Sequence, residues 1–322
     1  MNNTKQITEA GLFAAIIAVM IMGSFYIPVL GSVMGLFLPV PVVILTVKNR
    51  PIFVVASTVV AILLSGFVVS ILSSVTMGLT ALLVGLPLGY AIKKKMSNMI
   101  AILIGTVGAA ISFLVVFEIL EITTGITLLQ TIEESFTMSM DIQDGLTSAV
   151  EGLGVNTTGS LEEAQKLLDE MLRLMKLILP AMMLMFSLFY TAANLVLSHQ
   201  VLKRLRLEHI PIGPFENFKY PKHVAYGSVG MIFLSYFIGL SGLVDSELLS
   251  ANFAYIFMTV FSINGMAVIF YYLKRRMGKV PAVLMIVLLL IFGLMNYIAF
   301  LGFFDVVMDL RKLEKTDKTG ND

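Results

Sequence analysis

The sequence predicts an all-α polytopic integral membrane protein with about nine transmembrane helices. Hydrophobic residues make up 57% of the 322 positions and charged residues only 13%, and the mean hydropathy is +0.92. This is more apolar surface than one soluble core can bury. Apolar runs of about 20 residues, enough to cross about 30 Å of hydrocarbon as a helix, recur between short polar breaks. They do not alternate polar and apolar residues as membrane barrels do, so helices are expected.

The apolar segments divide the chain into two predicted helical units. We place nine crossings at about 8–29, 33–47, 51–72, 75–92, 98–120, 177–198, 223–244, 251–273 and 280–302. Residues 1–200 are expected to form a six-helix unit with an extracytoplasmic insert at about 121–176, and residues 223–302 a three-helix unit. A cytoplasmic loop at 201–222 joins them, and residues 303–322 are expected to form a polar tail.

The basic residues predict the orientation of the chain. Lysine and arginine concentrate in every second break, as cytoplasmic loops do. They are Lys48, Arg50, Lys93 to Lys95, Lys203, Arg204, Arg206, Lys274 to Arg276 and Lys279. The N-terminus is therefore predicted in the cytoplasm and the insert outside. Nine crossings would place the C-terminal tail on the outside as well.

The second segment contains two prolines. Pro39 and Pro41 lie in "GLFLPVPVVIL", and proline removes a backbone donor, so a kinked or broken helix is expected. Such a kink is either a packing feature or part of a broken helix that lines a solute cavity.

The first segment has an unusually small face. Ala10, Ala14 and Ala18 recur every four residues, with Gly11 and Ala15 offset by one. Small residues at this spacing let two helix backbones approach closely in lipid. The face is expected either to pack inside this chain or to dock another protein.

Polar residues inside the apolar segments are the candidates for a solute site, because such groups are costly in lipid. The candidate solute-binding residues are Tyr26, Ser73, Ser74, Glu118, Asn264 and Asn296. Two alternatives stay open: Glu118 as a carboxylate at the water interface, and the two asparagines as interhelical hydrogen-bonding groups.

Several function classes have no support in the sequence. The absence of cysteine excludes disulfides and thiolate metal sites, and no nucleophile–base or metal-ligand pattern is visible, so we expect no enzyme, cofactor or metal site. No Gly-x-x-x-x-Gly-Lys-Ser/Thr motif occurs, so any nucleotide energy must come from a partner. The basic clusters lack a base-stacking motif, so no nucleic-acid partner is expected.

Two family resemblances refine these expectations. The segment "ITEAGLFAAIIAVMIMGSFYIPVLG", followed by "LFLPVPVVIL" and a basic turn, resembles the start of S components of energy-coupling-factor vitamin transporters over about the first 100 residues. The chain resembles the YybS-like membrane proteins of Gram-positive bacteria over essentially its full length. The resemblance implies a bacterial plasma-membrane protein with a six-helix S-component-like core plus three further helices.

The same resemblance implies a docking role for the first helix. Ala14 and Ala18, extended by Ala10, match the positions that contact a transmembrane coupling subunit driven by separate ATPases. Two non-enzymatic functions follow as hypotheses: small-solute binding or transport energised by partner proteins, or a membrane adaptor for envelope or signalling proteins that acts through the insert and the 199–222 loop.

Overall fold

The computed structural model describes residues 3–135, 138, 158–240 and 245–313, with the backbone alone at 158–165 and 168. Its α-helices are α1 (Asn3–Tyr26), α2 (Leu30–Leu36), α3 (Pro39–Lys48), α4 (Pro51–Gly66), α5 (Ile71–Lys93), α6 (Asn98–Thr124), α7 (Thr158–Arg204), α8 (Lys222–Leu240), α9 (Ser246–Met277), α10 (Lys279–Ile291) and α11 (Met295–Met308). A 3-10 helix covers Phe215–Asn217, and residues 128–135 are also helical. No strand occurs in these ranges, so the all-α prediction is confirmed.

Within the described ranges, seven helical segments are long and apolar enough to cross a membrane. They are Asn3–Tyr26, Leu30–Lys48, Ile71–Lys93, Asn98–Thr124, Asp169–Arg204, Lys222–Leu240 and Ser246–Met277. Three shorter apolar helices, α4, α10 and α11, have 16, 13 and 14 residues. The polytopic prediction is thus confirmed, while two of the nine expected crossings, 51–72 and 280–302, are not among these seven segments.

The chain forms two compact units. The first unit comprises Met1–Leu172 with Phe186–Ile212, and the second comprises Arg173–Met185 with Gly213–Asp322. The first unit ends within the predicted 201–222 loop. The 47-residue helix α7 contributes to both units, whereas the crossing predicted at 177–198 belongs wholly to the predicted six-helix unit.

Only the two ends of the predicted insert at 121–176 are described. Helix α6 continues through Glu121 to Thr124, and α7 begins at Thr158. Apart from 138, residues 136–157 lie outside the described part of the chain, and so do residues 314–322 of the predicted tail.

The core of the first unit is built around α3. Every residue from Pro39 to Val47 is buried, because α3 contacts α1, α4 and α5. Large apolar side chains fill the surrounding space, among them Ile17 and Ile21 of α1 and Leu88 of α5. An apolar helix buried on all sides needs no polar face, and its sequence "PVPVVILTV" has none.

The second unit is organised by the contact between α9 and α11. A Cβ atom added at Gly302 would overlap the carbonyl oxygen of Phe261, and one added at Gly265 would overlap that of Ile298. The two glycines therefore let the backbones approach as small residues do between membrane helices. Helices α8 and α10 also contact α9.

The crossing expected at 280–302 is not one helix. It is divided at Phe292–Leu294, where Gly293 adopts a φ of +71° that favours glycine. Helix α10 starts directly after the basic end of α9, and α11 returns to that end, where the Tyr272 hydroxyl donates to the carbonyl oxygen of Leu310 at 2.9 Å.

This division corrects the expected position of the C-terminal segment. Leu310 lies beside Tyr272 in the C-terminal, basic half of α9, not at the opposite end as a ninth full crossing requires. The predicted polar tail at 303–322 also begins inside α11, where Val306 is fully buried. Because glycine is common in membrane helices, the presence of Gly293 in the sequence does not by itself predict a helix break.

Candidate functional site

The expected break in the second apolar segment is present in the first unit. Helix α2 ends at Leu36 and α3 begins at Pro39. Because Pro39 and Pro41 have no N–H group, they cannot donate to the carbonyls one turn before them. The N–H of Val40 bonds the carbonyl of Phe37 at 3.0 Å, so it is drawn away from Leu36, its α-helical partner.

A side chain from α7 supplies the donor that the break removes. The Asn194 amide nitrogen donates to the carbonyl oxygen of Leu36 at 3.1 Å and to that of Tyr190 at 2.9 Å. Asn194 is fully buried. The broken helix and α7 are therefore joined by a polar contact inside the first unit.

Asn194 belongs to a longer polar face of α7. Ser187, Thr191, Asn194 and Ser198 follow one another at spacings of four, three and four residues, which places them on one side of the helix. All four have an exposed fraction of 0%. They extend over about 17 Å of helix axis. This face is turned into the protein and away from lipid.

Several atoms on this face have free hydrogen-bonding capacity. Among the described residues, Thr191 Oγ1, Asn194 Oδ1 and Ser198 Oγ have no hydrogen-bond partner. Thr106 Oγ1 on α6 is likewise buried without a partner among them. Gly105, next to Thr106, approaches so closely that an added Cβ would overlap the Thr191 methyl group. An unpartnered buried polar group costs about 1–3 kcal/mol, so such groups mark places where water or a polar ligand binds.

Aromatic rings border this region. Phe113 of α6 lies 5.2 Å from Phe186 and 5.6 Å from Tyr190, measured between ring centroids. Close by on α6, the Ser112 hydroxyl donates to Thr80 of α5 at 2.9 Å. The groups assembled here are hydroxyls, an amide and aromatic rings, all of them uncharged. They suit hydrogen bonding and stacking with an uncharged molecule.

The second unit contains a different kind of polar cluster. Asp305 and Arg311 form an ion pair at 2.7 Å whose side chains are both 0% exposed. Arg311 also donates to the carbonyl oxygens of Glu216 at 2.7 Å and Phe218 at 2.8 Å. The amide of Asn264 contacts both members of the pair. Both carboxylate oxygens of Asp305 accept hydrogen bonds.

Two further ion pairs surround this cluster. The Lys219 ammonium lies 2.8 Å from a carboxylate oxygen of Asp309, and Lys274 donates to the Glu216 side chain. The hydrogen bond from Lys274 holds the pKa of Glu216 below its ordinary value. Burial raises the pKa of Tyr220 to about 12, so this phenol keeps its proton. The cluster is a paired network that fastens the C-terminal segment to the 215–220 loop.

Sequence reasoning missed Asp305 and Arg311. Both were assigned to a polar tail beyond the last crossing. The available signal was the single acidic residue in "LGFFDVVM", because a charge inside an apolar run requires a partner.

The predicted solute-binding residues of the first unit are dispersed. Tyr26 is 63% exposed, and its hydroxyl donates to the carbonyl oxygen of Val68. Ser73 is half-buried, and Ser74 is fully buried with no partner for its hydroxyl among the described residues. Glu118 is exposed on α6. None of the four hydrogen-bonds to the polar face of α7 in the described chain.

The two predicted asparagines lie in the second unit. Asn264 donates to the carbonyl oxygen of Gly302 at 2.8 Å and to Asp305 at 3.1 Å, as an interhelical hydrogen-bonding residue does. Asn296 is exposed near the start of α11. The six predicted residues are therefore divided between the two units, four in the first and two in the second.

The alanine face of α1 is covered by the same chain. Ala10, Ala14 and Ala18 are 8%, 2% and 2% exposed, and the Ser57 hydroxyl of α4 donates to the carbonyl of Ala10 at 2.9 Å. This is the internal packing that the sequence left open. Docking of another protein on these residues stays a prediction, and it would require α4 to move away. Gly11 and Ala15, by contrast, are exposed.

Comparison with known proteins agrees with the architecture. The chain is 22% identical over 317 residues to a Bacillus subtilis strain 168 protein described as "Uncharacterized protein YybS", which covers 98% of this chain and 100% of that protein. No solved structure matches the chain. A family model described as "Predicted membrane protein (DUF2232)" matches residues 15–306, which include helices of both units. The chain therefore belongs to the DUF2232 family of predicted membrane proteins.

Proposed function

We propose that this protein binds or transports a small solute in the manner of an S component, energised by partner proteins, and that it catalyses no reaction itself. The observation that carries the proposal is the buried polar face of α7, where Thr191, Asn194 and Ser198 keep unpartnered atoms beside a broken helix. Broken membrane helices commonly line solute sites, because their free backbone groups and nearby polar side chains bind the substrate.

Packing alone explains this face less well than solute binding does. In the second unit the buried charged groups are satisfied within the chain, as the Asp305–Arg311 pair illustrates, although Thr259 Oγ1 has no partner among the described residues. Hydroxyl groups that only hold helices together are expected to be bonded across the interface. The unpartnered hydroxyls of Thr106 and Thr191 therefore favour a polar ligand, and the neutral surroundings favour an uncharged one.

Energy for transport is proposed to come from a coupling subunit with ATPases, since the sequence has no phosphate-binding loop. Because Ala14 and Ala18 pack against the chain itself, we place the contact with that subunit on the other side of α1. Gly11 and Ala15 are exposed there, and no atom lies within 4 Å of a Cβ added at Gly11.

The proposal is tested by purifying the tagged chain from its native membrane and identifying bound small molecules and proteins by mass spectrometry. Thr191→Val removes an unpartnered hydroxyl with almost no change of shape. Thr58→Val is the matched control, because the Thr58 hydroxyl is buried but bonds the Val54 carbonyl of its own helix at 3.0 Å. We expect a small molecule to accompany the wild type and Thr58→Val and to be depleted from Thr191→Val.

Equal recovery of that molecule from both variants would count against the site. Recovery of envelope or signalling proteins, with neither a small molecule nor ATPases, would favour the adaptor function instead.

A further inference from the structure

An apolar groove lies between α9 and α11 in the second unit. Its volume is about 400 Å³, and it is lined by Val268, Ile269, Tyr272, Leu273, Leu301 and Leu310. This volume falls in the range of small-ligand pockets. The only polar group that a lining side chain offers is the Tyr272 hydroxyl, which already donates to the carbonyl oxygen of Leu310. The groove therefore suits a hydrocarbon chain.

One basic residue, Arg276, follows the groove on the same face of α9, and a second, Lys279, begins the next helix. Arg276 comes four residues after Tyr272 and seven after Ile269, so its side chain continues the line of the groove by about one turn. Lys279 comes directly after this turn, at the start of α10. Both are exposed, and neither forms an ion pair with a described residue. Lys274, in contrast, is paired with Glu216, whose carboxylate is also stabilised at longer range by the charge of Lys279.

We propose that this groove binds one acyl chain of an anionic phospholipid, whose phosphate is held by Arg276 and Lys279. The groove supplies the apolar contact and the two cations supply the charge complementarity. Basic pockets between membrane helices on the cytoplasmic side bind anionic lipid headgroups in this way. The positive-inside distribution places the basic end of α9 at that side. A neutral phospholipid has the same acyl chains but lacks the net negative charge, so the proposal predicts headgroup selectivity.

The test uses the full-length chain, purified in detergent and stripped of lipid. Phosphatidylglycerol or phosphatidylcholine with identical acyl chains is added back, and bound lipid is measured by native mass spectrometry. We expect preferential binding of phosphatidylglycerol. Arg276→Gln together with Lys279→Gln should weaken that binding by about thirtyfold, as expected for two basic residues. Glycerol phosphate without acyl chains should not compete, since the groove requires the chain.

Two further variants separate charge from shape. Arg50→Gln together with Lys94→Gln removes the same net charge from the first unit and should leave binding unchanged. Leu301→Trp fills the groove without changing charge and should abolish selective binding; Ile269→Phe serves the same purpose if that protein is not monodisperse. The proposal is overturned if the wild type does not distinguish the two lipids. It is also overturned if the first-unit control loses as much affinity, or if filling the groove has no effect.

Discussion

The two units differ in how they bury polar side chains. In the first unit, Thr191 and Ser198 are fully buried and uncharged, and their hydroxyl groups have no partner among the described residues. In the second unit, Asp305 and Arg311 are fully buried and charged, and they bond each other and the neighbouring backbone. A satisfied network rigidifies a fold, whereas unsatisfied polar groups reduce its stability unless something binds them. The Asp305–Arg311 cluster is therefore expected to stabilise the second unit, and the polar face of α7 is expected to bind a ligand.

The largest expected effect comes from breaking the ion pair of the second unit. Arg311→Met leaves the Asp305 carboxylate buried without its main partner, which should lower the free energy of unfolding by about 3–5 kcal/mol. Thermal unfolding of the purified protein in detergent measures this loss.

The double variant Asp305→Leu with Arg311→Met is the corresponding control. Replacement of a whole buried ion pair by apolar residues is often close to neutral, so much of the stability should return. A double variant as unstable as Arg311→Met alone would show that the loss comes from the other bonds of Arg311, to the 216–218 backbone.

A smaller effect is expected from two adjacent alanines of α1. Ala14 is 2% exposed and Ala15 is exposed, although both were part of one small face in the sequence. Ala14→Leu should overpack the first unit and lower the free energy of unfolding by about 1–3 kcal/mol. Ala15→Leu should leave the unfolding temperature nearly unchanged.

The same pair tests partner docking on α1. If a coupling subunit contacts the exposed side, Ala15→Leu should reduce its co-purification while the protein stays folded. Undiminished recovery of the subunit with Ala15→Leu would remove that side of α1 from the proposal.

An effect of the opposite sign is expected at the polar face of α7. Thr191→Val removes a hydroxyl that has no partner, so the free energy of unfolding in the absence of solute should stay the same or rise by about 1 kcal/mol. Thr58→Val removes a hydrogen-bonded hydroxyl and should lower the free energy of unfolding slightly. Chemical denaturation of both variants measures the difference. A loss with Thr191→Val larger than with Thr58→Val would indicate that the hydroxyl of Thr191 is a structural group.

Features set by covalent geometry could be predicted from the sequence. Pro39 and Pro41 lack N–H groups wherever they lie, so the break between α2 and α3 was predictable. The residue that repairs this break, Asn194, is 158 positions away from Leu36 in the chain, and local patterns carry no information on such a pairing. Asn252 acts in the same way at Pro180 of α7, where its side chain bonds both the Leu177 carbonyl and the Ala181 N–H.

Features set by the arrangement of helices could not be predicted. The spacing of Ala10, Ala14 and Ala18 predicts a face that another helix approaches, but not that α4 of the same chain covers it. The ion pair of Asp305 with Arg311 depends on the break at Gly293, which returns the C-terminal segment to the basic end of α9. Without that break, the last crossing would end near residue 302, and Asp305 would be expected to lie beyond it in water.

The smallest expected effect appears only at acid pH. It concerns the Lys274–Glu216 ion pair, which forms the partly exposed rim of the cluster around Asp305 and Arg311. Lys274 donates a hydrogen bond to the Glu216 carboxylate. This bond holds the pKa of Glu216 below its ordinary value of 4.5. When the pKa of a carboxyl group is lower in the folded state than in the unfolded state, its ionisation stabilises the fold at pH values above the unfolded-state pKa. This stabilisation is lost as the pH falls through the folded-state pKa. Glu216→Gln should therefore flatten the fall in unfolding temperature below about pH 4.5.

The size and location of this effect distinguish the rim of the cluster from its interior. The Lys274 and Glu216 side chains are 30% and 20% exposed, so their pair should contribute well under about 1 kcal/mol. Glu216→Gln keeps the backbone carbonyl that accepts from Arg311, so the substitution isolates the side chain. If wild type and variant lose stability in parallel below pH 4.5, the acid sensitivity comes from other carboxylates.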